Sequence, residues 1–558
     1  MKLLQMVRDV NRASHLTHKN ASPENRVAIA EYFERIDATS KKTGAPTGNA
    51  FAKLIADTKD AERTELEIME SEVIEPEITE AELRAQLEAA ADSDLRVSMI
   101  FANQVNGQFL YEHGGSGWRY YKNGSWTACT KREQFEFAKQ LGPYLLSEAS
   151  RIASTNTDAA KRLMTLARRA MSSSGIKAAI DLATSDERIA ATQEQFDTHR
   201  HLLNVNNGVI NLNTGTLMPH DPALYMVKQS PIDYDPDAQC PEFDKFINEI
   251  SKPRPDSEAD SDWTDYIQRA LGYTLSGNID HEKLFFMLGG GSNGKSVLAN
   301  VMMHIMGPLA CVLPTGVLMS VKNRGKDEAT PSKARLVGTR LAFANEVEEG
   351  ARFDDAAVKE LASKDAMSVR LLHQNSFSFY PSHKLWMRGN RKPIISATDN
   401  GIWRRIDLIP FDRQFSDHEK DVGLEARLKM ESAGILTWLV RGYEKYKQRG
   451  LTPAKRVISA SHAYRKESDL LAQWIDETGE ISSAAECLVN TAFRSYVNWC
   501  HNNEIKPWSK ITLSRNLSER GISVKKNGGK DDTGKRCDLY IGLKIAAPMS
   551  EPVLGRFS

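Results

Sequence analysis

A glycine-rich run, GGGSNGKS, stands between an apolar segment, KLFFML, and a segment with apolar residues at helical spacing. The expected order is strand, loop and helix. In such a loop, backbone N–H groups converge on phosphates, the lysine reaches the outer phosphates and the hydroxyl after it ligates magnesium. The alternative is a turn that binds nothing. We predict a site for ATP and Mg²⁺ formed by Gly289, Gly290, Gly291, Ser292, Asn293, Gly294, Lys295 and Ser296.

Three further positions could complete a phosphate-transfer site. Glu346 follows the apolar run LAFAN and could hold Mg²⁺ and orient the attacking water, although acids after a strand are often only solvated. Asn390 ends the run HKLWMRGN, where its amide could contact the γ-phosphate or that water. Arg404 and Arg405 precede a fourth apolar run and could stabilise transition-state charge at a neighbouring subunit, or could be a surface pair.

Length and composition restrict the class of protein. At 558 residues, with 41% hydrophobic and 26% charged residues, the chain predicts three or four globular domains. No apolar run reaches the ~20 residues of a membrane helix, and the N-terminus lacks the pattern of a secretory signal, so we expect a cytoplasmic protein. The six scattered cysteines form no CxxC pair and predict neither a zinc site nor a disulfide framework.

The elements that position these residues can be predicted along the chain. Aromatic residues with Asn-Gly and Gly-Gly turns after Met99 predict small β-hairpins, and a helical stretch follows to about Asp197. Residues 202–221 predict strand, turn, strand and turn. Strand-like and helical runs then alternate between 282 and 415, as a parallel α/β sheet requires. Residues 421–449 predict an all-helical lid.

The order of these motifs resembles a known family. GGGSNGKS, RLVGTRLAFANEVEEG, FYPSHKLWMRGNRKP and GIWRRIDLIPF together resemble the superfamily 3 helicases, in the branch of phage and plasmid primase-helicases and the poxvirus helicase-primase. The segment from LLNVNNGVINL to FDKFINEI is similar to the domain that precedes the helicase core in that branch. ESAGILTWLVRGYEKYKQRGL resembles its helices after the core.

The resemblance implies roles for these residues. Lys295 and Ser296 would bind phosphate and magnesium, Glu346 would be the Walker B acid and Asn390 the sensor. Arg405 would be the arginine finger, with Arg404 the alternative. The chain would form a homo-hexameric ring that hydrolyses ATP and translocates 3′ to 5′ on single-stranded or forked DNA, with no membrane partner.

Two departures from the family pattern stand out. The pore hairpin, expected between Ser368 and Phe379, usually carries a lysine, but SVRLLHQNSFSF offers Arg370 and His373 in its place, with Lys359 or Lys364 as helpers. Larger relatives carry an N-terminal primase, whereas residues 1–95 show no aspartate pair or zinc cluster for nucleotide polymerisation. We therefore expect no primase activity in this chain, and a separate primase or other replication protein as a partner.

Charge is strongly segregated along a chain whose formal net charge is zero. Residues 60–94 carry 13 acidic and two basic side chains, which predicts a solvated linker. Residues 505–544 carry ten basic and four acidic side chains in the order helix, helix, hairpin, which is typical of a winged helix. Phosphate contacts are predicted for Arg515, Lys525, Lys526, Lys530, Lys535 and Arg536, and the alternative is a basic face that contacts acidic protein.

The predicted fold class is therefore α/β, with an AAA+-like P-loop NTPase core built on a parallel sheet. The predicted divisions are a small helical segment (1–58), an acidic linker (59–95), a mixed α/β domain (96–275), the ATPase core (276–415), a helical lid with connector (416–484), and a winged-helix domain with a tail (485–558). The predicted function is a replicative DNA helicase of a phage, prophage or mobile element. The alternatives are an ATP-dependent replication initiator or switch, and a duplex-DNA remodelling or packaging ATPase.

Overall fold

The structure is a computed structural model that describes residues 93–320, 330–345, 350–370, 376–395, 400–503, 505, 507–531 and 533–546. The predicted N-terminal helices and nearly all of the acidic linker lie outside the described residues, as do Glu346 and His373. Nothing in the structure bears on those four predictions.

The first region joins helices to a small sheet. Its strands pair in the order β3-β2-β1-β4, with β1 and β4 parallel. The predicted hairpins are confirmed, and the Asn123-Gly124 turn between β2 and β3 has positive φ at both residues. Trp118 and Trp126 are buried, so they belong to the core and are not a base-stacking surface. The elements are α1 Asp94–Val105, β1 Phe109–His113, β2 Gly117–Lys122, β3 Ser125–Ala128, α2 Glu133–Ala138, α3 Leu141–Ile152, α4 Thr157–Ala170, α5 Ser173–Ala183 and β4 Ala190–Thr192.

A three-stranded antiparallel sheet and two long helices lead to the centre of the chain. They are β5 Leu202–Val205, β6 Gly208–Asn211, β7 Thr216–Met218, α6 Pro241–Ser251 and α7 Ser261–Leu275. The strand and turn predictions for 202–221 are confirmed. Every residue of α7 from Tyr266 onward is buried, so this helix lies inside the fold.

Five parallel strands form the central sheet, in the order β14-β8-β13-β10-β9. Their runs are almost wholly apolar because helices and loops cover both faces. An antiparallel hairpin, β11–β12, projects between β10 and β13 in sequence. The elements are β8 Leu284–Leu288, α8 Lys295–Met306, β9 Ala310–Leu313, α9 Thr330–Ala334, β10 Leu341–Ala344, α10 Asp355–Leu361, β11 Met367–Arg370, β12 Ser376–Phe379, β13 Lys384–Gly389, α11 Asn400–Trp403 and β14 Ile406–Pro410.

Three helices follow the sheet, and one of them packs closely on α7. They are α12 Leu424–Met430, α13 Ser432–Arg449 and α14 Lys455–Glu467. Gly272 of α7 and Gly442 of α13 lie where the helices cross. A Cβ at Gly272 would come 2.2 Å from the backbone N of Tyr443, so only glycine permits this approach. The helical prediction for 421–449 is thereby confirmed.

The last region is helix, strand, two helices and a hairpin. It comprises α15 Leu470–Thr478, β15 Gly479–Leu488, α16 Val489–Asn502, α17 Lys510–Ser518, β16 Ser523–Lys530 and β17 Arg536–Ile545, with sheet order β15-β17-β16. The predicted order of helix, helix and hairpin is confirmed. Our boundary at 485 needs correction, because it falls inside β15, and Leu471 and Trp474 of α15 belong to the same hydrophobic cluster as Tyr496 and Tyr540.

Across the described ranges, none of the helices is long and apolar enough to cross a membrane. All six cysteines are free thiols, and burial raises the pKa of Cys240 to about 12.

Candidate nucleotide site and nucleic-acid surfaces

The glycine-rich loop connects β8 to α8. β8 ends at Leu288 and α8 begins at Lys295, so the strand and the helix lie where the motif requires them. Gly291, Ser292 and Gly294 have φ values of 103°, 51° and 82°, which bend the backbone into a tight loop at the N-terminus of the helix. Successive N–H groups in such a loop, together with the helix dipole, form a concave site for an anion.

The glycine-rich loop is packed against other residues at its two ends and open in its middle. A Cβ at Gly289 would lie 2.5 Å from the carbonyl oxygen of Phe411, and a Cβ at Gly294 would lie 2.6 Å from Cγ2 of Ile250. A Cβ at Gly290 or Gly291 would meet no atom within 4 Å. The middle of the loop therefore faces free space of the kind that phosphate oxygens would fill, and the residues present fit the predicted triphosphate.

Lys295 and Ser296 occupy the first turn of α8. Lys295 is buried, and its Nζ donates to the carbonyl oxygen of Gly289 at 2.8 Å and to Oδ1 of Asn293 at 3.2 Å. Asn293 is itself held by a bond from its Nδ2 to the carbonyl oxygen of Arg413 at 2.9 Å. The side chain of Ser296 is exposed at the helix N-terminus. The lysine therefore lies over the loop, and the hydroxyl remains accessible to a hydrated cation.

The neighbouring strand ends place polar residues beside the loop. Gly389 at the end of β13 is paired with Leu288, and its carbonyl oxygen accepts from N of Gly289 at 3.3 Å. Asn390 comes next and is exposed. β13 lies between β8 and β10, so Asn390 lies between the glycine-rich loop and the end of β10, after which Glu346 follows. Asn390, the predicted sensor, is thus positioned by strand order rather than by sequence distance.

A segment after β14 contacts the loop and was missed by the sequence argument. N of Phe411 donates to the carbonyl oxygen of Leu288 at 2.7 Å, and N of Phe415 donates to that of Ser292 at 2.8 Å. The buried Arg413 lies over the ring of Phe415 and bonds to Glu419, which lowers the pKa of that carboxyl to about 2. DRQF carries no spacing signal, so only the contact identifies it.

The two arginines lie at the opposite edge of the sheet. Arg404 and Arg405 precede β14, whereas the loop follows β8, and the five residues of β8 separate these two edges by about 16 Å. The Arg405 side chain is 9% exposed and its Nη2 bonds to Oε2 of Glu282 at 2.5 Å. The Arg404 side chain is 68% exposed. Neither guanidinium can reach its own phosphate loop.

The hairpin expected to line a pore is present as β11–β12. Arg370 is exposed at its end, opposite Ser376, and His373 lies outside the described residues. Lys359 is partly buried on α10, and Lys364 is exposed between α10 and β11. The structure brings Arg370 and Lys364 to the surface near this hairpin but does not test their role.

The six cations of the last region for which phosphate contacts were predicted are all exposed. Within the described part of the chain none of them forms an ion pair. Arg515 lies on α17, three lysines on β16, and the rest at the hairpin tip and on β17. The set is Arg515, Lys525, Lys526, Lys530, Lys535 and Arg536.

Among the described residues, His, Cys, Asp and Glu side chains form no cluster that could hold a metal ion. Glu346, the candidate ligand, lies outside the described residues.

Comparison with known proteins identifies relatives of this chain. A family profile described as "D5 N terminal like" matches residues 98–252. The chain is 25% identical over 303 residues to the Acanthamoeba polyphaga mimivirus protein named "Putative helicase L207/L206", covering 50% of the chain and 31% of the relative. It is 24% identical over 349 residues to an African swine fever virus protein named "Putative primase C962R", covering 58% and 36%. The matched segments thus span about a third of these relatives.

One solved structure, the apo C-terminal region of NrS-1, aligns with 81% of this chain and 99% of its own, at 9% identity and a TM-score of 0.44. A Frog virus 3 protein named "Putative helicase 022R" is 25% identical over 256 residues, or 43% of this chain and 26% of the relative. The matched profile and the viral relatives agree with the resemblance found in the motifs. The chain is thus similar, over part of its length, to viral proteins named as helicases and primases.

Proposed function

We propose that this chain is an ATP-dependent DNA helicase that forms a ring and translocates 3′ to 5′ on single-stranded DNA during replication of a virus, phage or mobile element. The observation that carries the proposal is the open glycine-rich loop between β8 and α8, with Asn390 directly after β13, the strand paired with β8. The names of the viral relatives, helicase and primase, support the same class of activity.

Each residue of the site has a defined task. ATP with Mg²⁺ supplies the phosphoanhydride whose hydrolysis releases energy. The loop amides and Lys295 hold its phosphates, Ser296 ligates the cation, and Glu346 orients the attacking water. Asn390, directly after β13, contacts the γ-phosphate. The loop amides and these four side chains act at the carboxyl edge of the parallel sheet, where ligands of open α/β sheets bind.

The separation of the two edges supports the proposal of a ring. Arg404 and Arg405 lie at the amino edge, about 16 Å from their own loop, yet an arginine is needed to neutralise charge in the transition state. A head-to-tail ring brings the amino edge of one subunit to the carboxyl edge of the next. Both arginines pair with Glu282, but Arg404 is exposed and lies 3.5 Å from that carboxylate, whereas the buried Arg405 lies 2.5 Å from it and would have to exchange it for phosphate.

DNA contact in the pore is assigned to the β11–β12 hairpin. Arg370 and His373 take the place of the usual lysine, and Lys364 adds positive charge nearby. These cations grip the phosphate backbone, so the contact depends on salt and carries little sequence information. The exposed cations of α17 and the β16–β17 hairpin bind duplex DNA before the ring is loaded.

Unwinding of two forked duplexes tests the proposal. One fork has a 3′ tail and the other only a 5′ tail, and the intact chain is compared with Lys295→Ala. We expect the 3′-tailed fork to open and Lys295→Ala to abolish both ATP hydrolysis and opening. Lys245→Ala is the matched control, because this exposed lysine on α6 pairs only with Glu242.

Two results would contradict the proposed helicase. If ATP is hydrolysed and neither fork opens, an initiator that uses ATP to assemble on DNA becomes the better account. If Lys295→Ala retains full hydrolysis, the glycine-rich loop is not the nucleotide site and the proposal fails.

A further inference from the structure

The open face of α17 carries an unusual combination of side chains. α17 buries Leu513, Asn516 and Leu517 against the rest of its domain. On the opposite face Ile511 is 83% exposed, and Arg515 is exposed one turn later. An isoleucine this exposed gains nothing from folding, because its apolar surface stays in water.

The surroundings of Ile511 favour a polyanion as the occupant of this face. Lys525, Lys526 and Lys530 extend along β16, directly after α17, and none of them has an ion-pair partner among the described residues. The exposed Glu519 directly follows the last residue of α17, and the helix itself contains no carboxylate. One exposed apolar residue and an exposed arginine on the same helix face, followed in the chain by a hairpin with unpaired lysines, complement the major groove of DNA, where phosphates flank base edges.

The position of Ile511 within the helix identifies its target. It is the second residue of α17, and the N-terminal residues of a helix lying in the major groove are those that contact base edges. The only apolar group that bases present in that groove is the thymine methyl. Arg515 is placed to bond to O6 and N7 of guanine. Ser514 is not available for this, since its hydroxyl is bonded to Tyr540 at 2.5 Å.

We propose that α17 reads duplex DNA directly, with Ile511 on a thymine methyl and Arg515 on a guanine. Side chains four residues apart on a helix are separated by about 6 Å, and base pairs by about 3.4 Å, so the two bases lie about two base pairs apart. This goes beyond the proposed helicase, since it gives the chain a preferred duplex sequence independent of ATP.

Selection from a random blunt-ended duplex library, with the intact chain and no ATP, tests the inference. We expect the selected sites to share a thymine and a guanine at that spacing. Ile511→Ala should weaken binding to the selected site about tenfold and binding to random duplex hardly at all. Val422→Ala, which removes a 99% exposed aliphatic side chain elsewhere, is the matched control and should bind like the intact chain.

Replacing the selected thymine by uracil removes only the methyl group. The intact chain should lose about tenfold in affinity on the uracil duplex, and Ile511→Ala should lose nothing further. By contrast, Lys526→Ala should weaken all duplexes equally and reduce the salt dependence by about one charge. ATP hydrolysis by Ile511→Ala should equal that of the intact chain, which separates this inference from the helicase proposal.

Three results would overturn the inference. They are a selection that yields no shared sequence, equal losses by Ile511→Ala on selected and random duplexes, and a uracil effect that persists in Ile511→Ala. Failure of the forks to unwind would leave this binding result unaffected, because the selection uses neither ATP nor a tail.

Discussion

The separation of the two sheet edges leads to a quantitative prediction about mixed rings. Lys295→Ala subunits lack a working phosphate loop, and Arg404→Ala or Arg405→Ala subunits lack an arginine at the amino edge. β8 places these two features about 16 Å apart within one subunit, so the proposed ring predicts that each active site combines residues of two subunits. We expect Lys295→Ala alone and the variant of the critical arginine alone to be inactive, that arginine contributing about a thousandfold or more.

Mixing restores activity by a calculable amount. In a ring assembled from equal amounts of the two variants, about one interface in four joins an intact loop to an intact arginine, so ATP hydrolysis should recover to about a quarter of the wild-type rate. The assay is steady-state phosphate release after co-assembly, with each variant alone as the control. The finger is the arginine whose variant is inactive alone and recovers activity when mixed with Lys295→Ala.

Thermal unfolding accompanies these assays because the two arginines differ in burial. Arg405→Ala leaves Glu282 without its main partner and should lower the melting temperature, whereas the exposed Arg404 should be neutral. Full activity in both arginine variants, or inactive mixtures built from folded subunits, would refute the reasoning that the site is shared between subunits.

Two further predictions concern the loop and the sheet. Gly294→Ala should lower the free energy of unfolding by about 2 kcal/mol, because the φ of Gly294 is 82° and the added Cβ would overlap Ile250. Gly290→Ala should keep the stability of the intact chain and lose nucleotide affinity. Equal stabilities of the two variants in denaturant titration would contradict this prediction. Burial lowers the pKa of His383 from 6.5 to about 4. Between these two pH values the imidazole is therefore protonated in the unfolded chain and neutral in the folded chain. The free energy of unfolding should therefore fall by about 3 kcal/mol as the pH is lowered from 6.5 to 4. His383→Gln should remove this dependence on pH. A His383→Gln variant with the same pH profile as the intact chain would refute the assignment.

Much of the fold could be predicted because its signals are local. The glycine-rich loop, the apolar strands and the Asn-Gly turn each depend on a few consecutive residues, and all three lie where the pattern placed them. The boundary at 485 was wrong for the converse reason. β15 pairs with β17, more than fifty residues away, and a strand that owes its place to such a partner carries little local signal.

The sequence by itself determined the chemistry that this chain offers: a phosphate loop, an amide and two arginines at the ends of strands, and a basic C-terminal region. Tertiary structure decided which of these residues meet. Strand order places Asn390 directly after β13, the strand paired with the one that leads into the loop, and brings the carbonyl oxygen of Phe411 against Gly289. It leaves Arg404 exposed and Arg405 buried, although both pair with Glu282. The physical reason is that side-chain type and spacing fix what a residue can bind, whereas its neighbours depend on long-range pairing and packing that no local pattern encodes.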